Sequence, residues 1–294
     1  MQDMPLWLNW LNWLVIFLAV IVTMLFAYFG GFSNRWFRSG VDRSIGLNIG
    51  DLFIVIGVVL VGMIMFSLTV SCALKLNSEI GGINELNSQL QVALVITGQL
   101  MWQLPAALYF FWKGLSREGG LRRVGIRTSH LFKDILVGII GWLCAVPVIL
   151  TVLGATGILG SLFKSPPPVF GHELLLILLD SDALLTRGML LFSAVCLAPV
   201  LEEFLFRGFL QTAILDLIGC RWRWVAILTA GFVFVLIHVD AVTWHGLPGL
   251  FVLAVVLGWL YEKTGSLWVP VISHACFNLS NICFALLLSD IPVP

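Results

Sequence analysis

Charge is what this sequence has least of. Asp, Glu, Lys and Arg together make up 11% of 294 residues, and 16 basic side chains balance 16 acidic ones. Nucleic-acid binders gather Lys and Arg into a basic footprint, and its lack here excludes that class of partner. The six cysteines contain no CxxC pair, which argues against a zinc knuckle or a disulfide framework and fits small apolar packing residues. HExxH is missing too; His172-Glu173-Leu174-Leu175-Leu176 comes nearest and lacks the second histidine. Ahead of the first apolar run there is no basic n-region, so that run is expected to be a retained span and not a secretory leader.

What the sequence has in abundance is apolar: 60% of residues are hydrophobic and the mean hydropathy is +1.02, far above a soluble protein's average. Crossing about 30 Å of hydrocarbon takes about 20 helical residues. Runs approaching or exceeding that length occur at Leu8–Gly30, Leu52–Leu76, Leu90–Trp112, Ile135–Phe163, Met189–Gly219, Trp224–His238, Leu247–Tyr261 and Leu267–Ser289. The expected fold is therefore all-α: a polytopic transmembrane bundle of about eight spans forming one integral membrane domain. In a bacterium it would lie in the plasma or inner membrane.

Lys and Arg crowd the connections Ser33–Asp51 and Lys113–Asp134, while Asn77–Gln89 and both termini hold none. Under the positive-inside rule those two loops are cytoplasmic, and with eight spans Arg221, Arg223 and Lys263 fall on the same side. Between Lys164 and Gly188 the triple proline Pro166, Pro167 and Pro168 precedes an apolar stretch containing Asp180 and Asp182, which suggests an interfacial helix in place of a crossing. Many of the twelve tryptophans cluster near span ends, as interfacial anchors do.

Against this background Glu202, Glu203 and Arg207 stand inside the run Met189–Gly219. A charge near the bilayer centre costs at least about 2.5–3.5 kcal/mol on insertion scales, so three together must face a protein interior or a wet cavity and mark a functional site. Residues four apart share a helix face, so Glu203 pairs with Arg207, while Glu202, turned by about 100°, is left available as a general base. Pro199, just before the acidic pair, should open the helix there. Two of the five histidines fall in later apolar runs: His238, one turn after Phe234, and His274, one turn before Asn278 and on its face.

These spacings resemble a known family. Glu202-Glu203-x-x-x-Arg207, Phe234-x-x-x-His238 and His274-x-x-x-Asn278 are similar, in order, to the EExxxR, FxxxH and HxxxN motifs of the CAAX protease and bacteriocin-processing family of intramembrane proteases, which includes the type II CAAX prenyl proteases. The flanking stretches LAPVLEEFLFRGFL and GWLYEKTGSLWVPVISHACFN extend the resemblance over about Ser193 to Ala285. It divides the chain into N-terminal helices, 1–188, and a catalytic core, 189–294.

The resemblance implies a peptide hydrolase whose catalytic residues are Glu202, Glu203, His238, His274 and Asn278, with Arg207 and Phe234 in structural support. Glu202 would activate water with help from His238, His274 and Asn278 would stabilise the oxyanion, and Glu203 with Arg207 would hold the architecture. The expected partners are membrane lipid and a membrane-associated substrate, either a prenylated CaaX-like protein or a short peptide. No Ser or Cys is placed in these motifs, so direct water attack is expected. No cofactor is expected; were zinc bound, Glu202, His238 and His274 would be its ligands. The alternative is a non-hydrolytic scaffold or immunity-type protein in which the same cluster braces the bundle, and a transporter is a third reading. His245 and His130 are read as ordinary exposed loop histidines.

Overall fold

A computed structural model describes residues 6–28, 46–79, 88–116, 118, 120–127, 129–165, 173–180 and 183–289. Pro166–Pro168, His172, Asp182 and the basic residues Arg35, Arg38, Arg43 and Arg117 lie outside that set. The described residues form helices with no sheet: α1 (Leu6–Tyr28), α2 (Ile49–Glu79), α3 (Ser88–Leu115), α4 (Leu131–Leu162), α5 (Glu173–Asp180), α6 (Leu184–Ile218), α7 (Arg223–Leu236), α8 (Leu247–Thr264) and α9 (Trp268–Ser289).

Six of these, α2, α3, α4, α6, α8 and α9, are long and apolar enough to cross a bilayer. With the 23-residue α1 and the 14-residue α7 they account for the eight apolar runs. The protein is an integral, multi-pass membrane protein. α5 is eight residues long, too short to span, so the Lys164–Gly188 connection adds no crossing.

Large apolar side chains point outward along the spanning helices: Phe53, Ile64, Leu143, Phe192 and Phe232 are all exposed. In water that surface would be untenable, but in lipid it is the expected exterior. The cysteines join it. Five of the six are exposed and Cys276 is half-buried, so they face outward and do not fill the core as their apolar context suggested. With acyl chains as solvent, a small apolar side chain gains little by turning inward.

Three ties place the basic connections at one end of the bundle. Leu47 N–H donates to Asp216 near the end of α6 (2.9 Å). Lys113 on α3 pairs with Asp51 on α2 (2.8 Å). Leu267 N–H, in the α8–α9 turn, donates to Gly125 O (3.1 Å). Gly125 has φ +85°, and a Cβ there would lie 2.5 Å from Gly265 O, so only glycine lets the α3–α4 loop lie on that turn. The opposite end is clamped by His245, which is buried and not the exposed loop histidine expected. Its Nε2 donates to Ser165 O (2.7 Å), its carbonyl accepts from Thr156 Oγ1 (2.9 Å), and its ring stacks on Trp244.

The best-buried core surrounds the middle of α6, where Leu205, Phe206 and Phe209 pack with Phe110 of α3, Phe234 of α7 and Ala254 and Tyr261 of α8. A polar seam runs beside it. Gln211 on α6 donates to Gly258 O and to Glu262 Oε1 on α8, and Glu262 in turn pairs with Arg223 at the start of α7. Every one of these groups is buried, and with little water inside a bilayer such groups must answer one another. The seam fixes α6, α7 and α8 against each other just below the acidic pair.

Candidate active site

α6 is not a uniform α-helix. It widens into π turns at Ser193–Leu197 and Phe204–Gln211, on either side of the α-helical Ala198–Glu203 that carries both glutamates. The first π turn has a local cause. Ala198 N–H reaches back five residues to Ser193 O, and the next donor in that pattern would be residue 199, a proline with no N–H. Ala194 O is thereby left without its main-chain donor, and Asn278 Nδ2 of α9 supplies one at 2.8 Å. Pro199 thus opens the helix as the sequence suggests, and the Asn of HxxxN ties the opening to α9.

The acidic pair separates as helix geometry requires. Glu203, fully buried, accepts Arg207 through Oε1 at 2.8 Å along α6. The same oxygen faces His274 Nδ1 at 2.9 Å. A carboxylate accepts, so His274 carries its proton on Nδ1 and turns Nε2 the other way. Arg207 also donates to Ala254 O of α8 (2.9 Å), and its guanidinium sits 4.9 Å above the Phe234 ring. One ion pair therefore draws together α6, α7, α8 and α9.

Glu202 takes no part in that pair. It is buried at 6% exposure, its Oε2 lies 3.8 Å from His274 Nε2, and its Oε1 lies 3.4 Å from Gln103 Nε2 on α3. The first separation is too long for a direct hydrogen bond. It suits two groups that share a third atom, such as a water or a substrate oxygen.

Phe234, wholly buried, is the hub between the two histidines: its ring centroid is 4.5 Å from that of His238 and 5.9 Å from that of His274. His238 Nδ1 donates to Phe234 O at 2.7 Å, which leaves Nε2 with its lone pair. The structure thus brings Glu202, Glu203, Arg207, His274 and Gln103 into one polar cluster, with His238 packed on Phe234 and Asn278 a turn away along α9.

Residues 185–280 match the family model described as Type II CAAX prenyl endopeptidase Rce1-like. Over that third of the chain the protein is similar to the CAAX protease family. All three motifs fall inside the matched segment. No curated protein and no solved structure matches the chain. The match supports, in general terms, a CAAX-type intramembrane endopeptidase with a membrane-associated protein or peptide substrate.

Gln103 is the site residue that sequence reasoning missed. It lies outside the CAAX protease match, 99 positions before Glu202, as one of four glutamines in the apolar α3. One signal was available: Gln99 and Gln103 stand one turn apart on one face, and Gln99 accepts from the buried Ser193 of α6 (2.7 Å). Two amides at that spacing in a membrane helix mark the face that meets another helix.

Proposed function

We propose that this protein cleaves a peptide bond of a membrane-associated substrate by direct attack of a water that Glu202 deprotonates. The observation that carries the reading is the division of labour between adjacent glutamates: Glu203 is held by Arg207 and His274, while Glu202 faces His274 Nε2 across 3.8 Å. Water bound to Glu202 Oε2 is within reach of that nitrogen. Glu202 removes its proton as the oxygen attacks the scissile carbonyl, and two side chains meet the tetrahedral oxyanion. His274 is one, once its Nε2 carries a proton. Asn278 is the other: its NH2 group has two N–H bonds, and Ala194 O takes one. As the intermediate collapses and the C–N bond breaks, Glu202 returns the proton it took to the leaving amine, while His238, held in one tautomer by Phe234 O, orients the water through its Nε2 lone pair.

The reaction we infer uses no metal. Among the described residues, no group of three or more His, Cys, Asp or Glu side chains is arranged to hold a metal ion. Glu202 and His274 supply two donors that face each other, while His238 packs on the Phe234 ring and holds its Nδ1 to Phe234 O. The substrate we favour is a prenylated CaaX-like tail, with a short unprenylated membrane peptide as the competing class.

The test is cleavage by detergent-purified full-length protein of a farnesylated CaaX peptide and of unprenylated hydrophobic peptides, each with and without a chelator. Cleavage unaffected by chelation is expected, faster on the farnesylated peptide. Chelator-sensitive cleavage that zinc restores would overturn the metal-free mechanism. A folded protein that cuts no peptide would favour a non-hydrolytic scaffold.

Asn278→Ala separates two roles for one side chain. Losing the donor to Ala194 O is expected to lower stability by about 1 kcal/mol, the scale of hydrogen bonds between membrane helices. Losing an oxyanion donor is expected to lower kcat by about 10²–10³. Unfolding in denaturant reads the first and kcat at saturating peptide the second; an unchanged kcat would remove Asn278 from the chemistry.

A further inference from the structure

At the basic end of the bundle, away from the acidic pair, a cavity of about 290 Å³ is lined by Arg127, His130, Lys133, Asp134 and Lys263. Three formal positive charges meet one negative. That one is already engaged, since Asp134 accepts from Ser266 Oγ of the α8–α9 turn at 2.6 Å. Arg127 Nε is buried with no acceptor, an orphaned donor at the cavity wall. α4 begins here, and His130 at its N-cap makes no side-chain capping bond, so the positive end of the helix adds to the three cations.

We propose that this cavity binds the phosphate headgroup of an anionic membrane lipid. Its position selects a lipid. Lys133 and Asp134 open the spanning helix α4, and Lys263 and Thr264 close the spanning helix α8, so the cavity lies where hydrocarbon meets water. Apolar side chains continue from it along α4: Val137 lines its floor, and Leu131, Phe132 and Leu136 are exposed beside it, Phe132 at 76%. A phosphate among the cations would leave its acyl chains on that apolar strip, a combination that a free ion has no use for. Basic pockets between membrane helices take lipid headgroups on the same physical grounds. The bound phosphate would also offset the net positive lining set against the turn from which α9 rises toward His274.

The test does not depend on proteolysis. Full-length protein in a neutral detergent is titrated with dioleoyl phosphatidylglycerol, with dioleoyl phosphatidylcholine and with inorganic phosphate, and the thermal unfolding midpoint is followed. Phosphatidylglycerol is expected to raise the midpoint saturably while the other two do not. Lys133→Gln, Lys263→Gln and Arg127→Gln are each expected to weaken the apparent lipid affinity about fivefold. Arg221→Gln, an exposed cation at the same end but outside the cavity, is expected to leave it unchanged. Lys133 is exposed, so its variant keeps the test decisive if the other two fail to fold. Equal shifts from both lipids, or equal weakening by Arg221→Gln, would overturn the site in favour of diffuse attraction. A shift reproduced by millimolar inorganic phosphate would overturn the lipid in favour of the free ion.

Discussion

Glu202→Gln is expected to lower kcat for peptide cleavage by about 10²–10⁴, the range that a positioned general base contributes, while the unfolding midpoint stays near that of the wild type. The amide keeps the shape of the side chain and its acceptor toward Gln103 Nε2, which lies 3.4 Å away, but it cannot take a proton from water. Glu202 has no ion-pair partner as close as the one Glu203 has in Arg207, so removing its charge breaks no close ion pair. Turnover measured beside a melting curve separates the two quantities. If the variant cleaves within a factor of about ten of the wild type, Glu202 is not the base. The same substitution at the neighbouring position is expected to behave differently, because Glu203→Gln leaves Arg207 as an uncompensated charge in the core.

Arg207→Met carries the largest expected cost in stability, about 3–5 kcal/mol, the penalty for breaking a buried pair from one side. Glu203 would remain fully buried with its charge facing His274 alone, and Ala254 O would lose its donor. Most of the variant is expected in aggregates on size-exclusion chromatography. The double variant Glu203→Gln/Arg207→Met is expected to recover part of the folded yield, because it removes both charges together. Arg207→Lys should recover less, since an ammonium cannot reach Glu203 and Ala254 O in fixed geometry while lying flat on Phe234. If Arg207→Met folds as well as the wild type, the pair is not what holds these four helices together.

Much of this site could be read from spacing, because a helix converts spacing into geometry. Glu203 and Arg207, four apart, do pair, and Glu202 does point elsewhere. The apolar runs correspond to the helices because an apolar exterior is obligatory in lipid. What escaped reading depends on distant residues or on backbone irregularity. Gln103 meets Glu202 through a contact spanning 99 positions, which no local pattern encodes. The first π turn comes from one missing N–H at Pro199, answered by an amide on another helix. His245 looked like a loop residue because it lies in the short connection Asp240–Gly246, but its partners, Ser165 and Thr156, come from the far end of α4 and the residues just beyond it.

Glu203 Oε1 is a single atom on which α6, through Arg207, and α9, through His274, both converge, and Arg207 carries the same junction on to α8. A junction of that kind behaves as a weld. Parting α8 or α9 from α6 would leave a buried polar group without its partner, so the three helices are pinned to one another at this point. The give needed to admit a polypeptide then falls to α3, whose tie to Glu202 is a long 3.4 Å contact, and to the turn after α7, where His238 is anchored only to its own helix. A substrate arriving within the plane of the bilayer would slip between those yielding sides and find the reactive carboxylate on the wall that does not move.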